Sequence, residues 1–213
     1  MNIWLIFILL FEFSACVVSL LNLKSNNQQR LKGFSYFLMF VFLGELLGLF
    51  IAQNFQNNVF YYNVFISIQF VYYLMLIKQN IYSLKAKKGL IATVIFYGTF
   101  TIINGLFIQN IYKELGSYNF TLGCFLIVIW MVYFFYELLQ SDSIENYLAY
   151  PFFWIGLGLF IFYVGSIPYM SVYNYLSVNY KKIFKAYFII IEFLNYLMYS
   201  FFIIGMLCNN KKK

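Results

Sequence analysis

The sequence predicts an all-α fold: a polytopic transmembrane bundle of seven helices, N-terminus outside and C-terminus in the cytoplasm. Three observations predict it. The chain is 63% hydrophobic and only 10% charged, where a soluble domain is about half apolar and about a quarter charged. With 213 residues it has no interior large enough to hide so many Phe, Leu and Ile side chains from water, so its solvent is lipid. The apolar runs last about twenty residues without alternation, whereas strands of a membrane barrel alternate over about ten. Because lipid offers the backbone no partners, the remaining solution is the helix. Finally, the basic residues cluster between the runs, as topology signals do.

The first span, residues 3–23, carries Glu12 in the middle of "LLFEFSACVV" with no basic neighbour. "FSAC", ending at Cys16, resembles a lipoprotein cleavage box. However, Phe13 stands where an aliphatic residue is usual, no basic residue precedes the run, and the hydrophobicity continues to Leu23. A retained first helix is expected. The second span, 33–53, holds "GELLG", which sets Gly44, Gly48 and Ala52 on one ridge beside Glu45. Such a ridge lets a neighbouring helix approach closely. In the third, 59–77, Tyr62, Gln69, Tyr72 and Tyr73 share a face. In the fourth, 90–108, Thr93, Tyr97, Thr101 and Asn104 recur at helical spacing and form another. The fifth spans 119–139 and opens on the sequon-like Asn119-Phe120-Thr121, a motif common by chance. The sixth, 151–171, contains Gly156, Gly158, Gly165 and Pro168. Pro168 has no N–H for the Val164 carbonyl and is the hinge candidate. The seventh, 184–206, aligns Lys185, Glu192, Asn195, Tyr196 and Tyr199. Each span is long enough to cross about 30 Å of hydrocarbon at 1.5 Å per residue. The links are short and polar, leaving a single domain over residues 1–213.

Orientation follows from the 14 basic residues. With the N-terminus outside, Lys24, Arg30, Lys32, Lys78, Lys85, Lys87, Lys88, Lys211, Lys212 and Lys213 fall inside. Only Lys113, Lys181, Lys182 and Lys185 fall outside, so the positive-inside rule favours this threading. The loop "NYKKIFK" runs against it; if that loop lies inside, a span has been miscounted.

Placed this way, Glu12, Glu45 and Glu192 each lie about 12–14 Å below the outer ends of their helices, and Gln69 about 15 Å. An intramembrane charge costs at least about 2.5–3.5 kcal/mol. Three carboxylates and an amide at one depth therefore predict a polar cavity open to the outside, walled by Glu12, Glu45, Gln69, Asn104, Glu192, Asn195 and Tyr196. The plainer alternative is that protonated glutamates act as hydrogen-bonding glue between helices. Glu137, Asp142 and Glu145 flank the one inner loop without a basic residue; such acids are usually solvated, with docking of a basic cytoplasmic partner the alternative.

The chain has no histidine, and Cys16, Cys124 and Cys208 stand alone. Neither a metal site nor a disulfide framework follows, and no cofactor is expected. Lys185 lies at the outer end of the last span, which excludes a retinal Schiff base deep in that helix. The stretches "YPFFWIGLGLFIFYVGSIPYMSVYNYL" (Tyr150–Leu176) and "IEFLNYLMYSFFIIGMLC" (Ile191–Cys208) resemble small bacterial seven-helix integral membrane proteins of the kind encoded beside sensor kinases and response regulators. That resemblance covers the last third of the chain and implies a sensory or accessory component of the bacterial inner membrane. The expected activity is a receptor-like one without enzyme chemistry. It takes a small ligand, ion or proton in the outer cavity and signals to a separate cytoplasmic or membrane partner. The alternatives are a small transporter using the same glutamates, its missing inverted repeat supplied by a homo-oligomer, and a structural subunit of a membrane complex. The expected surroundings are the lipid bilayer, with no nucleic acid.

Overall fold

In the computed structural model, residues 3–22, 32–55, 57–140 and 147–208 are described. Lys24, Arg30, Asp142, Glu145 and Lys211 to Lys213 lie outside them, as does Leu23 at the expected end of the first span. The described residues form helices and short connections, with no strand among them. In chain order the helices are α1 (Ile3–Leu21), α2 (Lys32–Phe55), α3 (Val59–Asn80), α4 (Leu84–Ile103), α5 (Ser117–Leu139), α6 (Pro151–Ser171), α7 (Tyr173–Asn179) and α8 (Lys181–Leu207). A π-turn, Asn104–Ile108, extends α4.

By length and composition α2, α3, α4 with its π-turn, α5, α6 and α8 are each able to cross a bilayer, and α1 is apolar but shorter. The architecture is that of a multi-pass membrane protein. Each of the seven expected spans overlaps one of these helices; the largest offset is in the fourth, where α4 begins at Leu84 and not near residue 90. Unexpected is α7, seven residues of "YNYLSVN" between the last two long helices.

Side-chain hydrogen bonds sort the connections into two ends. Asn57 Nδ2 donates to the Tyr112 carbonyl and Asn174 Nδ2 to that of Leu115. The α2–α3, α4–α5 and α6–α8 connections therefore share one end, the amide end. The "NYKKIFK" loop follows α7 at this same end. At the opposite end Glu137 accepts from the backbone N–H groups of Tyr82, at 2.8 Å, and Ser83, at 3.0 Å. Tyr150 donates to Asn80 Oδ1 at 2.9 Å. Glu137 thus accepts two backbone N–H groups at the N-terminus of α4, where an acceptor satisfies donors that have no partner within the helix.

The long helices pack in the order α1, α2, α3, α5, α6, α8 and back to α1, with α4 outside against α3 and α5. The core is unusually aromatic. Phe37 and Tyr72 stack with centroids 3.6 Å apart and planes at 6°, and the ring of Phe34 meets Phe202 edge-on at 5.1 Å. The small-residue ridge of α2 is occupied by rings of α3: a Cβ on Gly44 would collide with Phe65, and one on Gly48 would lie 2.7 Å from the Tyr62 hydroxyl. Backbones approach closely instead between α6 and α8, where a Cβ on Gly158 would lie 3.0 Å from the Met198 carbonyl oxygen. Pro168 lies inside α6 on an exposed side, one turn before the break at Val172. Tyr169, Tyr173, Phe184 and Tyr187 form the ring cluster that holds α7 to α6 and α8.

Candidate functional site

Two glutamates lie near one level on neighbouring helices, Glu12 buried and Glu45 half-buried. Ser35 Oγ donates to the Ser19 carbonyl, and Phe13 packs on Phe42 with centroids 5.4 Å apart. This antiparallel register of α1 and α2 brings Glu12 level with the residues just before Glu45. Each carboxylate is held by a tyrosine from another helix. Tyr199 of α8 donates to Glu12 Oε1 at 3.1 Å, and Tyr62 of α3 donates to Glu45 Oε2 at 2.8 Å. Glu12 is 5% exposed, and its second oxygen finds no donor among the described residues. A buried carboxylate oxygen without a donor forfeits a solvation that protein would normally replace. Among the described residues no set of three His, Cys, Asp or Glu side chains is placed to hold a metal.

The expected single layer of three carboxylates does not form. Glu192 is buried, but it lies two turns of α8 from Tyr199, about 10 Å toward the amide end. Its neighbour is Tyr196, and its Oε2 finds no donor among the described residues. Asn195, Tyr196 and Gln69 are half-buried, Tyr196 packing on Phe11 with centroids 5.2 Å apart. Asn104 is fully buried elsewhere, at the foot of the π-turn, donating to Gln109 Oε1 at 2.9 Å. It belongs to the scaffold of the amide end. Lys185 is exposed and turned away from the carboxylates' interior.

A cavity of about 700 Å³ opens at the amide end between α3, the α4–α5 connection, α7 and α8. Asn58, Tyr62, Lys113, Glu114, Asn174 and Ser177 supply its polar lining, and Phe188 and Ile66 its apolar wall. Burial raises the Tyr173 phenol above its ordinary value, so this lining residue stays a neutral donor. None of the seven side chains expected to wall the cavity lines it. The connection to them is Tyr62, which lines the cavity and also binds Glu45.

Sequence reasoning gave Tyr62 and Tyr199 a helix face but no partner, because a stripe fixes direction and not the neighbour it meets. It also missed Asn63. This side chain donates to the carbonyls of Ile111 and Glu114, both at 2.9 Å, and accepts from the Gly116 N–H at 2.7 Å. The available signal was the density of amides at both places, Asn57, Asn58 and Asn63 facing Gln109 and Asn110. Comparison of the chain with protein-family models, with curated proteins and with solved structures finds no match.

Proposed function

We propose that this chain is a receptor-like component of the bacterial cytoplasmic membrane, threaded seven times with the amide end outside. A small ligand, ion or proton enters the cavity of about 700 Å³. The Tyr62–Glu45 contact senses it, and the Glu12–Tyr199 contact passes the change to α8 and its close partner α6. The observation that carries this reading is that one side chain, Tyr62, both lines the cavity wall and donates to half-buried Glu45. The sequence count supports the threading, since ten of the 14 basic residues fall on links expected inside, and Pro168 beside the break at Val172 is the natural place for α6 to bend. The resemblance of Tyr150–Leu176 and Ile191–Cys208 to proteins encoded beside sensor kinases points the same way. With connections this short, the output passes to a separate signalling partner. Whatever enters must favour one arrangement of the helices over the other.

The second reading is a proton-coupled carrier, favoured by the pair itself, since intramembrane carboxylates mark ion paths. Against it, Phe34, Leu38, Leu74, Ile77 and Phe202 close the interior toward the opposite end, each at most 2% exposed.

The test is reconstitution of the purified chain in sealed vesicles loaded with a pH-sensitive dye, paired with spin labels at Val59→Cys and Val178→Cys across the cavity mouth. Cys208→Ser removes the accessible thiol, while Cys16 and Cys124 are buried. A receptor leaves an imposed proton gradient intact, and its mouth distance changes between mildly alkaline and mildly acidic buffer. Glu45→Gln should abolish that change with little loss of folded protein. A gradient that collapses through the wild-type chain but not through Glu45→Gln makes it a carrier. An unmoved gradient and an unmoved mouth reduce the glutamates to glue.

A further inference from the structure

Between α3 and α4 the bundle parts into a second cavity, a groove of about 490 Å³. Its size lies within the range of small-molecule sites, about 300–1,000 Å³. Val64, Ile68, Val71, Ile102, Leu106 and Ile111 form its walls. Val64, Ile68, Ile102 and Leu106 are 45%, 47%, 63% and 70% exposed, so the groove opens sideways, on the surface that lipid covers. The cause is local. At Gly44 and Gly48 a neighbouring ring fills the notch, but a Cβ on Gly98 would meet nothing within 4 Å. α4 also packs least of the candidate spans, with 11% of its most apolar window buried against 33% to 50% in the others.

All but one of the groove's free polar groups ask for a donor; the exception is the buried Tyr97 hydroxyl, which lines the groove without a partner among the described residues and can donate to a ligand's oxygen as well as accept from it. Asn119 lines it, is 6% exposed, and its Oδ1 has no donor among the described residues. Asn104, buried beside it at the foot of the π-turn, leaves its own Oδ1 in the same state. Ser67 and Thr101 also line the groove and direct their hydroxyl protons to the carbonyls of Asn63 and Tyr97, so toward a ligand they can only accept. No charged side chain lines it. What is missing is a neutral donor attached to something apolar and thin. An anionic phosphate head would find no counter-charge. A protein helix, about 10–12 Å across with its side chains, is too thick.

We infer that this groove binds a single-chain neutral amphiphile drawn from the bilayer. Its acyl or isoprenyl tail lies along Val64, Ile68 and Ile102, and its hydroxyl head donates to Asn119 Oδ1. The site is separate from the carboxylate pair and stands or falls independently of it.

The experiment uses a 1-oleoylglycerol analogue with a photoactivatable group in its tail, added to the full chain in phosphatidylcholine nanodiscs, with adducts mapped by mass spectrometry. Adducts should concentrate on residues 64–71 and 97–106. Unlabelled 1-oleoylglycerol should compete with them, and phosphatidic acid should not. Gly98→Leu, which fills the groove without displacing protein, should cut labelling by about tenfold or more while thermal stability holds or rises. Asn119→Leu removes the acceptor and should weaken competition by about fivefold. Labelling spread over all exposed helices and indifferent to Gly98→Leu would mean bulk lipid only and overturn the proposal. Equal competition by phosphatidic acid, or adducts joining two copies of the chain, would do the same. If Asn119→Leu leaves competition unchanged, its Oδ1 is served from within, by water in the void of about 10 Å³ beside it, and the head-group assignment fails. Should Asn119→Leu not fold, the Gly98→Leu result decides alone.

Discussion

The amide end and the glutamate pair are both polar clusters in an apolar chain, yet they are wired differently. At the amide end side chains bond mainly to backbone. Asn63 alone ties α3 to three backbone groups of the α4–α5 connection, and Asn57, Asn58 and Asn174 each reach a carbonyl of another segment. In the glutamate pair side chains bond only to side chains, one tyrosine hydroxyl per carboxylate, and Glu12 keeps an oxygen to spare. Bonds to backbone fix a shape, because the backbone cannot turn away. Bonds between a phenol and a carboxylate can be exchanged by a rotamer or a proton. The first cluster is cement, and the second has the build of a moving part.

That contrast can be broken by substitution. The largest effect is expected at Asn63→Leu. Losing three hydrogen bonds at about 1 kcal/mol each should cost about 3 kcal/mol, read as a drop in thermal stability in detergent; a silent variant would remove the cement from the comparison. Glu137→Ala at the opposite end deprives α4 of an acceptor for two N–H groups and should cost about 1–2 kcal/mol in the same assay. Tyr199→Phe should cost least, about 1 kcal/mol or below, because it removes one exchangeable bond. It should nevertheless slow or abolish the pH-driven change at the cavity mouth. Were Tyr199→Phe to destabilise the bundle as strongly as Asn63→Leu, the glutamate pair would be cement as well.

The long helices were legible because apolar runs of span length have one solution in lipid, and their ends fall at polar links such as "QNFQNN". The short α7 was not, since "YNYLSVN" has only Leu176 and Val178 as aliphatic residues, too few to show a helical period. The face of α4 holding Thr93, Tyr97, Thr101 and Asn104 was read correctly as one stripe: Tyr97 and Asn104 are fully buried, and Thr93 accepts from Trp130 Nε1 of α5. The vertical offset between helices was beyond reach. Counting from helix ends puts Glu192 level with Glu12, but α8 begins at Lys181, three residues before the expected span, and Glu12 pairs with Tyr199 instead. Sequence spacing measures distance along one helix and says nothing of how far its neighbour has slid. The groove was invisible for a similar reason. A glycine in a helix reads the same whether a ring fills its notch, as at Gly44, or nothing does, as at Gly98.

The stacked and notched rings of the core have a consequence for how such a bundle assembles at all. Helices already dissolved in hydrocarbon gain no hydrophobic drive by coming together, so the association must not be squandered on ordering its own side chains. Phenylalanine and tyrosine have only two torsions to freeze, far fewer than the long flexible residues that lose the most rotamer freedom. A chain with 28 phenylalanines and 21 tyrosines therefore joins its helices at a small entropic penalty, and any sliding of one helix past another has to unstack flat plates before it can begin.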